Sequence, residues 1–235
     1  MFPLKPSLIL LHGAISSEKQ FDTLLPLLNK ELDVHVFSFP GHGGKKIPAE
    51  PFSIDLFASA LLDFLQQEKI SSASVFGYSM GGYVALYLAS RHPLLINKIF
   101  TLGTKLEWTE EIAAKETAQL NPGKIKSKVP AFAEALKQLH APQDWKTVLH
   151  KTSEMLLQLG KKPALTENDF QKIKIPVLIG LGDGDKMVSR PEAENAEKYL
   201  ECGKLLLLEN TPHVFEKVDR RILADYMNDF FNEKK

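Results

Sequence analysis

Residues 73–86 read Ala73-Ser74-Val75-Phe76-Gly77-Tyr78-Ser79-Met80-Gly81-Gly82-Tyr83-Val84-Ala85-Leu86. The run Ala73 to Gly77 is apolar on both faces, the pattern of a strand covered by helices on either side. The residues from Gly81 to Ser90 predict a helix that starts directly afterwards. Between them stands the pentad Gly77-Tyr78-Ser79-Met80-Gly81. A serine on a sharp strand-to-helix turn stands clear of the sheet, and glycines two residues to either side let neighbouring backbone approach without Cβ clashes. The N-terminus of the following helix favours negative charge developing beside it. Strand, turn, serine and helix in this order make Ser79 the candidate nucleophile.

On both sides of this segment, short apolar runs ending in glycine or turn residues alternate with amphipathic helical patterns, as in parallel βαβ units. Candidate strands are Ser7 to Leu11, Asp33 to Phe39, Ala73 to Gly77, Lys98 to Leu102, Pro176 to Leu181 and Lys204 to Leu208. Ile54, Phe57, Ala58, Leu61, Leu62 and Leu65 fall on one face of a helix over Ile54 to Gln67, with Ser53 as its N-cap. A further helix is predicted over Ile222 to Phe231. From Thr104 to about Leu165 the strand signal stops, and helical patterns are broken at Asn121-Pro122-Gly123 and Ala141-Pro142. One helix there carries Phe132, Leu136 and Leu139; another carries Trp145, Leu149, Thr152, Leu156 and Leu159. Such stripes need a partner to bury against.

A serine hydroxyl is a weak nucleophile at neutral pH and needs an imidazole to take its proton and an acid to orient that imidazole. After the strand Pro176 to Leu181 comes Gly182-Asp183-Gly184-Asp185; after the strand Lys204 to Leu208 comes Asn210-Thr211-Pro212-His213. Both lie at strand C-termini, where α/β sheets place their sites. Of the seven histidines, only His213 combines that position with a following helix. His35, within a strand, and His92, at a helix end, read as structural, as do His140 and His150. Asp183 and Asp185 compete for the acid role, and local chemistry alone leaves the choice open.

Acyl transfer also requires backbone donors aimed at the developing oxyanion. Met80, following the nucleophile, supplies one; the Ala14 amide, in His12-Gly13-Ala14, is positioned for the other. Pro40-Gly41-His42-Gly43-Gly44-Lys45 lacks the glycine spacing of a phosphate loop and reads as a tight strand-to-helix connection. No Gly-x-Gly-x-x-Gly follows the first strand, and no paired histidine or cysteine spacing points to a metal. The expected chemistry is cofactor-free.

The chain has 235 residues, 44% hydrophobic and 25% charged, values that exclude a disordered class and suit one α/β domain. Lysine plus arginine (29) equals aspartate plus glutamate (29), so no net field recruits nucleic acid or an anionic membrane. The single cysteine, Cys202, cannot form an intrachain disulfide and reads as a small buried or half-buried residue. Leu8 to Leu11 is too short for a signal-peptide core, and no run is long enough to span a membrane. A soluble cytoplasmic chain is expected.

Leu10-Leu11-His12-Gly13, Pro40-Gly41-His42-Gly43, Gly77-Tyr78-Ser79-Met80-Gly81-Gly82, Gly182-Asp183-Gly184-Asp185 and His213, in this order, resemble the α/β-hydrolase superfamily across nearly the whole chain. The resemblance implies a three-layer α/β fold, one domain over 1–235, with the insertion over 104–165 as a helical cap. It favours Asp185 over Asp183 as the acid, because Gly182 and Asp185 match the family's glycine, two residues, aspartate pattern, and it implies that Ala14 and Met80 form the oxyanion hole. Only Met1 to Pro6 precede the first strand, which leaves no room for the family's usual leading hairpin. A mostly parallel sheet of about six strands is therefore expected. Ser38-Phe39 stands where relatives often carry an aspartate before the Pro-Gly-His-Gly turn.

The resulting expectation is a serine hydrolase that cleaves small or medium, largely apolar acyl esters beneath the cap through an acyl-enzyme, with His12, Tyr78, Phe132 and Trp145 touching substrate. Carbon-carbon bond hydrolases, a menaquinone-pathway lyase, thioesterases, lactonases and cofactor-free haloperoxidases on the same fold resemble this sequence about as well, and fold and triad do not choose among them. A slow-turnover ligand receptor is the alternative of another class. Neither oligomeric state nor cap opening is legible in the sequence.

Overall fold

The computed structural model describes residues 5–232. Met1 to Leu4, in the segment before the first strand, lie outside the described residues. Six strands, β1 Ser7–Leu11, β2 Asp33–Phe37, β3 Ala73–Tyr78, β4 Ile96–Leu102, β5 Val177–Gly182 and β6 Gly203–Leu208, form one sheet in the order β2-β1-β3-β4-β5-β6. Every pairing is parallel.

Strand periodicity sorts the side chains between two cores. Ile9, Leu11 and Val75 point to one face and pack with Phe57 and Leu61 of α1 (Ile54–Gln67) and Val84 and Leu88 of α2 (Met80–Arg91). Leu8, Leu10 and Phe76 point to the other and pack with Phe21, Leu24 and, from α9 (Arg220–Asn232), Leu223 and Met227. Residues one apart in β1 are thus both buried, as a doubly covered strand requires, and each such side chain contributes about 1.5–3 kcal/mol. Ser53 caps α1 by accepting the Leu56 N–H at 3.0 Å, and α8 (Arg190–Tyr199) opens with a capping box between Ser189 and Glu192.

Between β4 and β5 the chain forms α3 (Glu110–Thr117), α4 (Pro122–Lys128), α5 (Pro130–His140), α6 (Trp145–Lys161) and α7 (Glu167–Gln171). Ile125, Leu136, Trp145 and Leu149 make a separate cluster of their own. The other side of α6, with Val148, Met155 and Leu159, joins the main core. Polar ties add to this seam. His140 receives the Gly43 N–H at 3.2 Å and meets the Ile15 carbonyl at 3.1 Å, and Lys151 donates to the Glu50 carbonyl at 2.8 Å. Among the described residues no helix is long and apolar enough to cross a membrane.

Two local expectations are corrected. The second strand stops at Phe37 rather than Phe39, because Pro40 has no N–H for a ladder and Gly41 turns the chain at φ 79°. Cys202 is exposed: the turn into β6 uses its carbonyl, which accepts the Val177 N–H at 3.0 Å, and leaves its side chain outside.

Candidate active site

Ser79, between β3 and α2, has φ 50° and ψ −115°, a positive φ that a residue with a side chain rarely adopts. Its surroundings over-determine the turn. The Ser79 N–H donates to the Leu102 carbonyl at 2.8 Å, and the Ser79 carbonyl accepts Gly82 N–H at 3.1 Å and the Thr104 hydroxyl at 2.9 Å. A Cβ on Gly77 would lie 2.4 Å from the Gly82 nitrogen, and one on Gly81 would lie 2.3 Å from the Leu11 carbonyl oxygen. Both glycines are therefore required by close backbone approach. Met80 opens α2, so its N–H has no acceptor inside the helix.

From the neighbouring strand ends, His213 Nδ1 and Asp185 Oδ2 meet at 2.7 Å. The other oxygen, Asp185 Oδ1, accepts the N–H groups of Met187 at 2.7 Å and Val188 at 2.9 Å. Burial pushes the Asp185 carboxyl up, but the His213 hydrogen bond and charge, with the Val188 and Met187 amides, together hold it below 3.8. Asp183 serves the turn instead: its Oδ1 accepts the Thr211 N–H at 3.2 Å. The two loops interlock at Gly182, where a Cβ would fall 1.9 Å from the Thr211 carbonyl oxygen. Tyr78 OH donates to the His213 carbonyl at 2.7 Å, and burial raises its phenol far above the usual range.

Ser79 and His213 open onto a cavity of about 850 Å³ beneath α3, α5 and α6, bordered also by Ala14, Tyr78 and Met80. Phe132, Leu136, Leu139, Met155 and Leu156 give it an apolar roof. Gln20 receives the Gly13 N–H at 3.0 Å, which orients the loop carrying Ala14. Phe132 and Tyr78 thus border the cavity, whereas His12 and Trp145 do not. His12 is fully buried behind the loop: its Nε2 accepts the Phe39 N–H at 3.1 Å, so Nδ1 carries the proton donated to the Gly13 carbonyl at 2.7 Å. Trp145 packs instead in the cluster with Ile125 and Leu149. A stripe defined by helical spacing does not say which of its ends meets the body and which meets a cavity. Gln20, Lys105 and Glu116, all cavity residues, are missed by sequence reasoning because nothing local marks them.

Behind the Gly13 loop His12, His42 and His140 form a buried cluster, with ring centroids 5.2 Å and 5.8 Å apart from His42 outward. Burial lowers all three pKa values, that of His42 to about 3. Their ring nitrogens are taken up by backbone groups, apart from His42 Nε2, which is buried without a partner among the described residues. Among the described residues no group of three or more histidine, cysteine, aspartate or glutamate side chains is arranged to hold a metal ion.

Comparison with known proteins agrees with this architecture. A pimeloyl-[acyl-carrier protein] methyl ester esterase of Neisseria meningitidis serogroup C is 29% identical over 227 residues, covering 87% of this chain and 85% of the relative. Among solved structures, NosK from Streptomyces actuosus superposes with a TM-score of 0.83 at 22% identity, covering 97% of each chain. The enol-lactonase from Burkholderia xenovorans LB400 superposes with a TM-score of 0.79 at 17% identity, covering 97% of this chain and 92% of that one. The family model described as alpha/beta hydrolase fold matches residues 6–162, and with the six-stranded parallel sheet and its elbow already in view, the chain belongs to that family.

Proposed function

We propose that this protein hydrolyses carboxylic esters of small or medium, largely apolar acyl chains, with Ser79 as nucleophile. The observation that carries the reading is the 2.7 Å pair of Asp185 and His213, with His213 and the strained Ser79 on the wall of one apolar cavity. Asp185 accepts the Nδ1 proton, which leaves Nε2 unprotonated to take the proton of the Ser79 hydroxyl. The Ser79 oxygen attacks the ester carbonyl, and the resulting oxyanion sits against the N–H groups of Ala14 and Met80. His213 then returns its proton to the departing alcohol. Water, deprotonated by the same imidazole, cleaves the acyl-enzyme, releases the acid and restores the serine. The name of the Neisseria relative supports an ester as the bond cleaved; the apolar roof supports an acyl chain as the part enclosed.

A fluorophosphonate probe should label Ser79, and p-nitrophenyl esters of increasing acyl length should turn over. Labelling that persists in Ser79→Ala refutes the nucleophile. Tight binding of the esters with almost no turnover refutes the enzyme in favour of a receptor.

A further inference from the structure

The cavity walls are mainly apolar, with Ser16, Gln20, Gln119 and Glu216 as polar exceptions, and they carry one close pair of opposite charges. Lys105, two residues beyond the Gly103 turn that ends β4, and Glu116 on α3 both border the cavity, with side chains only 11% and 9% exposed. Their charged atoms stand 4.0 Å apart, too far for a hydrogen bond. Lys105 also faces Glu192 at 3.6 Å and donates one proton to the Met187 carbonyl. Glu192 is already engaged: its Oε1 accepts the Leu106 N–H at 2.6 Å and the Glu107 N–H at 2.9 Å, and its Oε2 the Ser189 N–H at 3.4 Å. Glu116 has no comparable set; among the described residues its carboxylate has only the long contact to Lys105. A charged donor and a charged acceptor therefore flank a gap in an apolar cavity, each with hydrogen-bonding capacity left over.

We infer that the Lys105–Glu116 gap is a recognition subsite for an uncharged substrate group that both accepts and donates, a hydroxyl or a primary amide. The group accepts from the Lys105 ammonium and donates to the Glu116 carboxylate, and so joins the pair through two charge-assisted hydrogen bonds. An anionic group would meet two carboxylates, and a cationic one would crowd Lys105. The preferred substrates are then esters whose acyl chain is apolar along most of its length and carries one hydroxyl or amide. This rests on the ester-hydrolase reading for the reaction but not for the binding.

The test uses methyl esters of increasing chain length, each as a plain alkanoate and with a terminal hydroxyl, carboxamide, carboxylate or ammonium. Binding is measured by calorimetry with Ser79→Ala, and kcat/KM with the unaltered protein. At one chain length the hydroxyl or amide ester should bind, and turn over, at least about tenfold better than the plain ester. That ratio should fall toward unity in Lys105→Met and Glu116→Leu, with thermal midpoint and fluorophosphonate labelling of Ser79 reporting whether each variant is folded. Equal binding of plain and hydroxylated esters at every length overturns the subsite, as does a preference for the carboxylate or the ammonium, or one that survives both substitutions. Since binding to Ser79→Ala is read without turnover, absence of hydrolysis counts against the reaction and leaves the subsite decided separately.

Discussion

Replacing Asp185 with asparagine changes a single atom and should nearly abolish turnover. The carboxylate faces donors on both sides: Oδ2 meets His213 Nδ1 at 2.7 Å, and Oδ1 accepts the Met187 and Val188 N–H groups. An asparagine has one acceptor and one donor end. Its carbonyl is retained by the two backbone amides, so its NH₂ turns toward His213 and donates to Nδ1. The imidazole then carries its proton on Nε2 and has no lone pair there for the Ser79 proton. The expected loss in kcat is about 10⁴-fold, which converts to roughly 5.5 kcal/mol of transition-state stabilisation. Asp183→Asn is the matched control, since an amide oxygen there still accepts the Thr211 N–H; it should change stability by less than about 1 kcal/mol and leave turnover within a small factor. Both variants should be assayed at saturating ester and neutral pH, beside their thermal midpoints. If Asp185→Asn keeps more than about a tenth of its activity, or if Asp183→Asn loses activity without losing stability, the tautomer argument fails.

The buried histidines make acid the vulnerable direction. His12 and His42 are neutral in the folded protein, with pKa values lowered by burial. The unfolded chain gains protons as pH drops through about 6.5, whereas the folded one does so only well below. Stability is therefore full above about 6.5 and should fall by about 2 kcal/mol for the two together between pH 6.5 and 5.5; denaturant midpoints measured across that interval without a decline would contradict this. Gly81→Ala drives a Cβ to 2.3 Å from the Leu11 carbonyl oxygen, and should yield little folded protein or lose Ser79 labelling, readable by expression and probe gel. Phe132→Ala opens the cavity roof and should shift the acyl-length optimum upward. Trp145→Ala should instead lower stability by about 3–5 kcal/mol with the ranking of acyl lengths unchanged, because Trp145 is buried in a cluster and does not itself border the cavity. Kinetics on an ester series, with thermal melts, separates the two.

Much of this architecture was legible because parallel strands buried on both faces leave unbroken apolar runs, and because Gly77 and Gly81 mark where backbones nearly touch. Ser79, His213 and Asp185 follow strand ends, which periodicity locates to within a residue or two. What could not be read was direction. The choice between Asp183 and Asp185 depends on how a four-residue loop curls around Thr211, and resemblance rather than local chemistry favoured Asp185. His12 adjoins the Gly13 loop in sequence yet turns inward to the Phe39 amide. Lys105, in the loop after β4, and Glu116, on α3, look like ordinary charged surface residues until α3 folds down over the sheet.

The strand order also bears on synthesis. A chain growing from its N-terminus completes the Ala14 loop, the Ser79 elbow and the helices from α3 to α6 before it has either Asp185 or His213. The latter sits beyond β6, the last strand at its edge of the sheet. If Ser79 and His213 act as proposed, a pocket with a serine but no base therefore comes first on the ribosome. Hydrolytic competence should then arise only when β5 and β6 have added to the sheet and the Gly182 and Thr211 turns have locked together. Translation stalled between residues 165 and 213 should accordingly leave nascent chains that carry the elbow but cannot hydrolyse an ester.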